Sequence, residues 1–514
     1  MFINGKTLDL NQLITMVRPQ SSTQVTVLLS SDAKERMLTS RNYIEKRISQ
    51  GEVMYGVNTG FGAFSSVRIS DSEIEALQRN LIRSHSVGVG DYFTKEQSRA
   101  MMLLRANALA TGRSGIRPQV VEKILEFYNN DIIPAIPCQG SVGASGDLAP
   151  LSHLALALIG EGEVWTADAT QVIPVEKMLL AKNVSPLVLK AKEGLSLING
   201  CQVMTAIGLL NCFKARDLVK LMDVAGAMSL EALRGSRKAF DPLISATRQH
   251  PGEAKTARNL MKILTESSGI SESHAHCNKV QDAYSLRCMP AVHGAVKDTL
   301  NQVIKTLEIE ANSSTDNPLV FAEENKILSC GNFHGMPVAF AMDYLGIALS
   351  SFASISECRI AKLINPAMSD LPAFLAKNGG LHSGHMIVQV AAASLVSENK
   401  VLAHPASVDT IPTSAEKEDH VSMGTIAARK AEKIIKNVQN VLAMEFLSST
   451  QGLDLLNPLK TSSPLEKVKA LIRTEVPFAD VDRIFFKDIN AISSMIDSRK
   501  IIQVIEKEIG ELEF

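Results

Sequence analysis

No charge of one sign predominates in this 514-residue chain, which sets 53 Lys and Arg against 54 Asp and Glu for a net charge of −1. A protein that binds nucleic acid electrostatically needs a basic surplus or a basic run, and neither is present. Aromatic residues are scarce at 5%, with a single Trp. The 7 cysteines are odd in number, scattered between positions 138 and 358, and form no CxxC pair. That excludes a disulfide framework and a zinc site of the usual spacing, and the expectation is a reducing, cytoplasmic setting. The N-terminus MFINGKTLDLNQL has no cationic segment leading into an apolar run, so no secretory signal is expected. One uncharged stretch, residues 195–213, reaches the length of a membrane span, but Asn199, Gly200, Gln202 and Asn211 suit a buried helix better than lipid. No membrane partner is expected.

Hydrophobic residues at 45% and charged residues at 21% mark an ordinary folded protein. Strand-like alternation is rare and helical periodicity is easy to find. Residues 427–442 place Ala427, Ala431, Ile434, Ile435, Val438, Val441 and Leu442 three and four apart, with charged residues between them. Residues 292–311 repeat the pattern. Residues 339–364 are apolar nearly all round, which requires other helices on every side. The expected class is mainly α, with a long central helical bundle and subunits packed around it. Gly, Asn, Ser and Pro collect in loops at 55–63, 138–147, 312–318, 329–337 and 403–419, which also hold most of the distinctive polar residues.

The segment SVGASGDLAPLSHLALALIGEG (141–162) reads at its simplest as a loop entering an apolar helix, with Asp147 as N-cap and Pro150 in the first turn. That reading leaves the small run Ala144-Ser145-Gly146 unexplained. A sharply folded Ala-Ser-Gly can close on itself, the Gly146 nitrogen attacking the Ala144 carbonyl, since Gly offers an unhindered nitrogen and permissive dihedrals. Loss of two waters then leaves a 4-methylidene-imidazol-5-one (MIO), whose exposed carbon accepts nucleophiles. A helix N-terminus beside it adds a positive dipole.

The segment resembles the signature of the histidine and aromatic amino-acid ammonia-lyase family. The likeness continues through YGVNTGFG (55–62), AKEGLSLING (191–200), KVQDAYSLRC (279–288), STDNPLVF (314–321), CGNFHGMP (330–337) and HPASVDTIPTSAEKEDHVSM (404–423). The resemblance implies a fumarase/aspartase-like fold and a homotetramer whose active sites draw on more than one subunit. It implies MIO formed from Ala144, Ser145 and Gly146 as the sole prosthetic group, with no metal or external cofactor. Asn199 is similar to the residue that polarises the ring carbonyl. Tyr55 matches the base that removes the β-hydrogen, which calls for nearby positive charge or a helix N-terminus. Tyr284 matches a second tyrosine that supports the electrophile-bound state. Arg287 would share a helical face with Tyr284 and bind the substrate carboxylate bidentately. Gln281 and Asn317 are expected neighbours, and Phe333 should line the pocket. Two domains are expected, 1–200 carrying the Tyr55 loop and the tripeptide, and 201–514 carrying the helical bundle.

Substrate choice rests on the ring-facing positions. Ser84-His85 and Glu418 resemble the histidine branch, a carboxylate being the natural partner of an imidazole N–H; Met386 is expected to flank the ring. The implied reaction is deamination of L-histidine to trans-urocanate and ammonia. Two blocks depart from that branch, with Glu416-Lys417-Glu418-Asp419 and His382-Ser383-Gly384-His385 in place of its usual NQED and NSGF. The expectation is that His385 replaces an aromatic wall of the pocket with a polar ring. A tyrosine or phenylalanine ammonia-lyase, or a 2,3-aminomutase, stays open on the same prosthetic group. A non-catalytic helical scaffold or an argininosuccinate- or fumarase-type lyase would have no use for the tripeptide.

Overall fold

The computed structural model describes residues 1–18, 25–60, 68–265, 268–277 and 279–514. Phe61 and Gly62 of the YGVNTGFG block, and Ala63 of that loop, lie outside the described residues. The chain is mainly helical, as the periodicity implies. The helical stretches expected from the sequence lie inside the helices Met289–Ala311, Met336–Leu363 and Gly424–Leu455. Strands are confined, among the described residues, to four two-stranded pieces, such as Val89–Tyr92 on Pro137–Gln139 and Leu319–Phe321 on Lys326–Leu328.

The chain divides into two compact units. The first comprises Met1–Leu210, Ile304–Asp343 and Pro405–Arg429; the second comprises Asn211–Val303, Tyr344–His404 and Lys430–Phe514. Thus 304–343 and 405–429, which the linear reading assigns to the second domain, return to the first unit.

In the first unit the helix Lys95–Ala110 is buried on all sides from Gln97 onward and packs on Pro118–Asn129. Three further helices, Ile74–His85, Leu148–Leu158 and Glu193–Ile198, pack mutually. Buried Gln78 of the first of these accepts from Gly194 N at 2.8 Å and Leu195 N at 3.3 Å, so it caps the third. Their packing fixes the ends on which His85, Asp147 and Asn199 stand.

The uncharged stretch 195–213 is buried but is two helices rather than one. Asn199 turns to extended backbone at φ −89°, ψ 100°, and a second helix, Gln202–Ala232, begins. A Cβ on Gly200 would collide with the guanidinium of Arg105, so the break is tightly enclosed. Met336–Leu363 is, among the described residues, the one helix long and apolar enough to cross a membrane, and 67% of its apolar window is buried within the protein.

In the second unit the periodic apolar residues Ile434, Val438, Val441 and Leu442 are all at most 1% exposed, each contributing about 1.5–3 kcal/mol by burial. A polar network is sealed among these helices. Arg359 forms a two-pronged pair with Glu445 (2.6 and 2.9 Å) and also donates to Ser285 O at 3.3 Å. Asp223 joins His293 (2.9 Å) and Lys297 (2.6 Å). Burial pushes the His293 imidazole down to about 4, although Asp223 opposes the shift, so His293 is neutral near pH 7.

Candidate active site

Ala144, Ser145 and Gly146 form a bend immediately before the helix Leu148–Leu158. Gly146 has φ +74°, a left-handed conformation that favours glycine. It pairs with Gly200 in a short parallel bridge, and Asp147 N donates to Gly200 O at 2.7 Å. A Cβ on Gly146 would collide with the Gly200 carbonyl, so only glycine fits.

Asp147 stands at the N-cap position of its own helix, but its side chain makes no cap bond there. This corrects the sequence reading. Its Oδ2 instead accepts from Val203 N at 3.0 Å and Met204 N at 2.9 Å, capping the helix Gln202–Ala232. Its Oδ1 accepts from the hydroxyls of Thr425 and Ser141. The reassignment follows from burial: a fully enclosed carboxylate takes whichever free N–H groups packing brings to it. Burial raises its pKa to about 6 against the opposing effect of those bonds.

The Ser145 hydroxyl donates to Glu418 Oε1 at 2.8 Å. Glu418 Oε2 accepts from Thr413 Oγ1 at 2.9 Å and Ser414 Oγ at 2.7 Å. The loop carrying Glu418 is closed by two backbone bonds between Thr413 and Glu418 and turned by three successive left-handed residues, Ser414, Ala415 and Glu416. A cavity of about 240 Å³ is lined by Ala144, Gly146, His85, Glu418 and their neighbours. The first unit thus brings together the tripeptide and both expected ring-facing residues.

His85 ends the helix Ile74–His85, where its Nδ1 bonds Leu81 O at 2.8 Å. A neutral ring held this way carries its proton on Nδ1 and offers Nε2 as an acceptor. Burial lowers its pKa, opposed by Leu81 O and Glu418, so the neutral ring is favoured.

Asn199 is 3% exposed. Its Nδ2 donates to Asn317 O at 3.3 Å and Asp316 Oδ1 at 3.4 Å, while its Oδ1 is buried without a hydrogen-bond partner among the described residues. Asp316 is in turn held by Lys192 Nζ and Ser196 Oγ, each at 2.9 Å. Asn317 anchors the loop behind it, its Oδ1 accepting from Cys330 N at 2.8 Å. The Phe333 carbonyl accepts from Cys201 Sγ at 3.0 Å.

Tyr55 lines a different cavity of the first unit, about 430 Å³, together with Arg47, Met54 and Lys326. Glu52 lines the same cavity and pairs with Arg47 at 2.9 Å, so that cation is already balanced. In the second unit Tyr284 and Arg287 bound one short helix, as expected, with the Arg287 guanidinium 4.6 Å from the centre of the Tyr284 ring. Tyr284 is 72% exposed, and Gln281 is exposed just before it. Met386 opens the helix Met386–Leu402.

His385 departs from expectation. It is 1% exposed, its Nδ1 meets Ser448 Oγ at 3.1 Å, and its ring lies edge-on to Phe485 at 5.0 Å. Burial drives its pKa to about 3, assisted by Arg483 and Arg473. It is a core residue of the second unit. Lys417 is exposed.

Sequence reasoning missed Arg105, which is fully buried behind Asn199 and Gly200. A signal was available: one Arg inside the apolar run AMMLLRANALA (100–110). A charge there requires a buried partner or a task.

Comparison with known proteins agrees with this geometry. Residues 8–474 match the family described as Aromatic amino acid lyase. Histidine ammonia-lyases of Caldanaerobacter subterraneus subsp. tengcongensis and Myxococcus xanthus are each 47% identical to this chain, over 98% of both sequences. The crystal structure of histidine ammonia-lyase from Trypanosoma cruzi superposes with a TM-score of 0.91 at 42% identity, covering 99% of this chain and 96% of that one. Tyrosine aminomutase from Streptomyces globisporus reaches 0.94 at 34% identity over the whole of both chains. Such full-length agreement in sequence and backbone places the chain in the aromatic amino acid lyase family, with its fumarase/aspartase-like helical fold.

Proposed function

We propose that this carbon–nitrogen lyase deaminates L-histidine to trans-urocanate and ammonia. The observation that carries the reading is the hydrogen bond from Ser145 to Glu418, which sets the tripeptide and an imidazole-binding carboxylate on one cavity with His85. The 47% identity to histidine ammonia-lyases over 98% of the chain supports the same substrate.

The tripeptide fits MIO. Gly146 fits only as glycine, Ala144 adds little bulk, and Asn199, next to the Gly200 that pairs with Gly146, has an amide oxygen buried without a hydrogen-bond partner among the described residues. Once formed, the group supplies an electrophilic carbon that captures the substrate amine and eases departure of nitrogen. Tyr55 takes the β-hydrogen from its place on the cavity it shares with Arg47, Glu52 and Lys326. Arg287 grips the substrate carboxylate with Gln281 beside it, and Tyr284 supports the bound state. Glu418 accepts the imidazole N–H, and His85 lines the same cavity. Asn199 would polarise the carbonyl of the prosthetic group, Phe333 lines the pocket near it, and Met386 flanks the substrate ring. Phe340, Tyr344 and Ile347 form an exposed stripe along Met336–Leu363, 57%, 51% and 47% accessible, which other copies cover in a homotetramer that shares active sites. The cytoplasm is the assigned compartment, on the cysteine pattern.

The test is an ultraviolet progress curve with L-histidine, L-tyrosine and L-phenylalanine in parallel. A urocanate band from histidine alone is expected. An arylacrylate band from tyrosine or phenylalanine with a silent histidine trace would move the substrate, and a β-amino acid product would make the protein an aminomutase.

A further inference from the structure

The turn that must cyclise does not stand alone. Gly146 lies against the Gly200 peptide, whose carbonyl also takes the Asp147 N–H. The Arg105 guanidinium also abuts Gly200, in the place a Cβ would occupy. Arg105 Nη1 donates to Asn199 O at 3.2 Å and to Gln202 Oε1, and Gln202 Nε2 is tied to Thr315 Oγ1 at 2.5 Å. Gly200 therefore touches both Gly146 and Arg105 inside the first unit. Arg105 is 0% exposed, and among the described residues its Nε and Nη2 have no hydrogen-bond partner. Asp316, which Lys192 pairs at 2.9 Å, also attracts the Arg105 charge but leaves its Nε and Nη2 donors unused. A buried cation with two unused donors is costly, and ordinary helix packing does not explain it.

We propose that Arg105 is a positioning residue for ring formation: its guanidinium backs the Gly200 peptide and so holds Ala144–Gly146 in the sharply bent form that closure requires. This rests on the proposed self-made electrophile and extends it to a residue on another helix. Closure joins Gly146 N to the Ala144 carbonyl carbon. The carbonyl oxygen leaves as water with the amide protons of Ser145 and Gly146. The second water takes the Ser145 hydroxyl and its Cα hydrogen. No oxidant or other reactant is needed. With the backstop removed, Gly200 can recede, Gly146 relaxes with it, and the bend opens before closure.

The experiment is intact mass of the purified full chain, with circular dichroism and thermal melting as controls for folding. The wild type is expected to lack the mass of two waters. Arg105→Met is expected to fold and yet retain that mass in most molecules. Arg105→Lys, which keeps the charge on a narrower head, should retain it in a smaller share. Complete water loss in either folded variant overturns the proposal, and so does failure of both to fold, which would assign Arg105 to the core alone. A wild type of full mass would instead overturn the proposed electrophile itself.

Discussion

The Ser145 hydroxyl donates to Glu418 across 273 positions of sequence, at 2.8 Å. The same carboxylate takes two more hydroxyl donors, Thr413 and Ser414, on its other oxygen. It is thus aimed before any substrate arrives, and an isosteric amide can reproduce its shape but not its charge. Glu418→Gln should fold and still lose two waters from the tripeptide. Its kcat/KM on histidine should fall roughly 10- to 100-fold, the worth of a charge-assisted hydrogen bond of about 1.5–3 kcal/mol. Steady-state kinetics check this, and an unchanged kcat/KM would remove Glu418 from imidazole recognition.

Ser145→Ala removes the hydroxyl that leaves as the second water. The variant should fold, be heavier than a dehydrated chain, and make no urocanate. Intact mass decides: an equal water deficit in wild type and variant would refute the tripeptide assignment.

Tyr55→Phe leaves the turn intact, because the bonds Gly56 N to Thr59 Oγ1 and Met54 N to Asn58 Oδ1 do not involve the phenol. Loss of a general base is expected to cost about two to four decades of rate. Turnover within a few-fold of wild type would exclude Tyr55 from that role.

Asp147 gives a pH prediction. Burial raises its folded pKa from 3.8 to about 6, so between those values the folded chain binds more protons than the unfolded one. Stability contributed by this group therefore falls as pH rises through that window. Asp147→Asn abolishes the titration, while its amide oxygen can still accept from Val203 and Met204. The unfolding free energies of variant and wild type, from denaturant titrations, should diverge in the variant's favour between pH 4 and 6, by on the order of 2–3 kcal/mol. A pH-independent difference would show that Asp147 is not the group responsible.

Glu445→Gln leaves the Arg359 cation buried without a counter-charge. A loss of about 3–5 kcal/mol is expected in thermal or urea unfolding. Because Arg359 also holds Ser285 O, inside the short helix from Tyr284 to Arg287, KM for histidine should rise as well. An unchanged KM would separate this network from carboxylate binding.

Several features were legible in the sequence for a local reason. Periodicity located the long helices, since a helix must bury an apolar stripe wherever the chain places it. The spacing of Tyr284 and Arg287 put both on one helical turn. The composition of Ala144-Ser145-Gly146 announced a tight bend, since glycine adopts the left-handed backbone found at position 146 most readily. His85 and Glu418 were legible through motif resemblance, and their shared cavity bears on the same chemistry.

Other features depend on which distant segments meet, and no local rule specifies that. Asp147 reads as the cap of its own helix, but packing presents the bare N–H groups of Val203 and Met204, so it caps another. His385 reads as a pocket wall, but burial against Ser448 and Phe485 makes it core. The uncharged stretch 195–213 reads as one helix, but Arg105 arrives from another helix and occupies the space at Gly200. The sequence by itself determined the helices, the bend and the types of reactive group. Only the tertiary structure decided which carboxylate meets Ser145 and what stands behind Gly146, because close packing of remote backbone sets those distances.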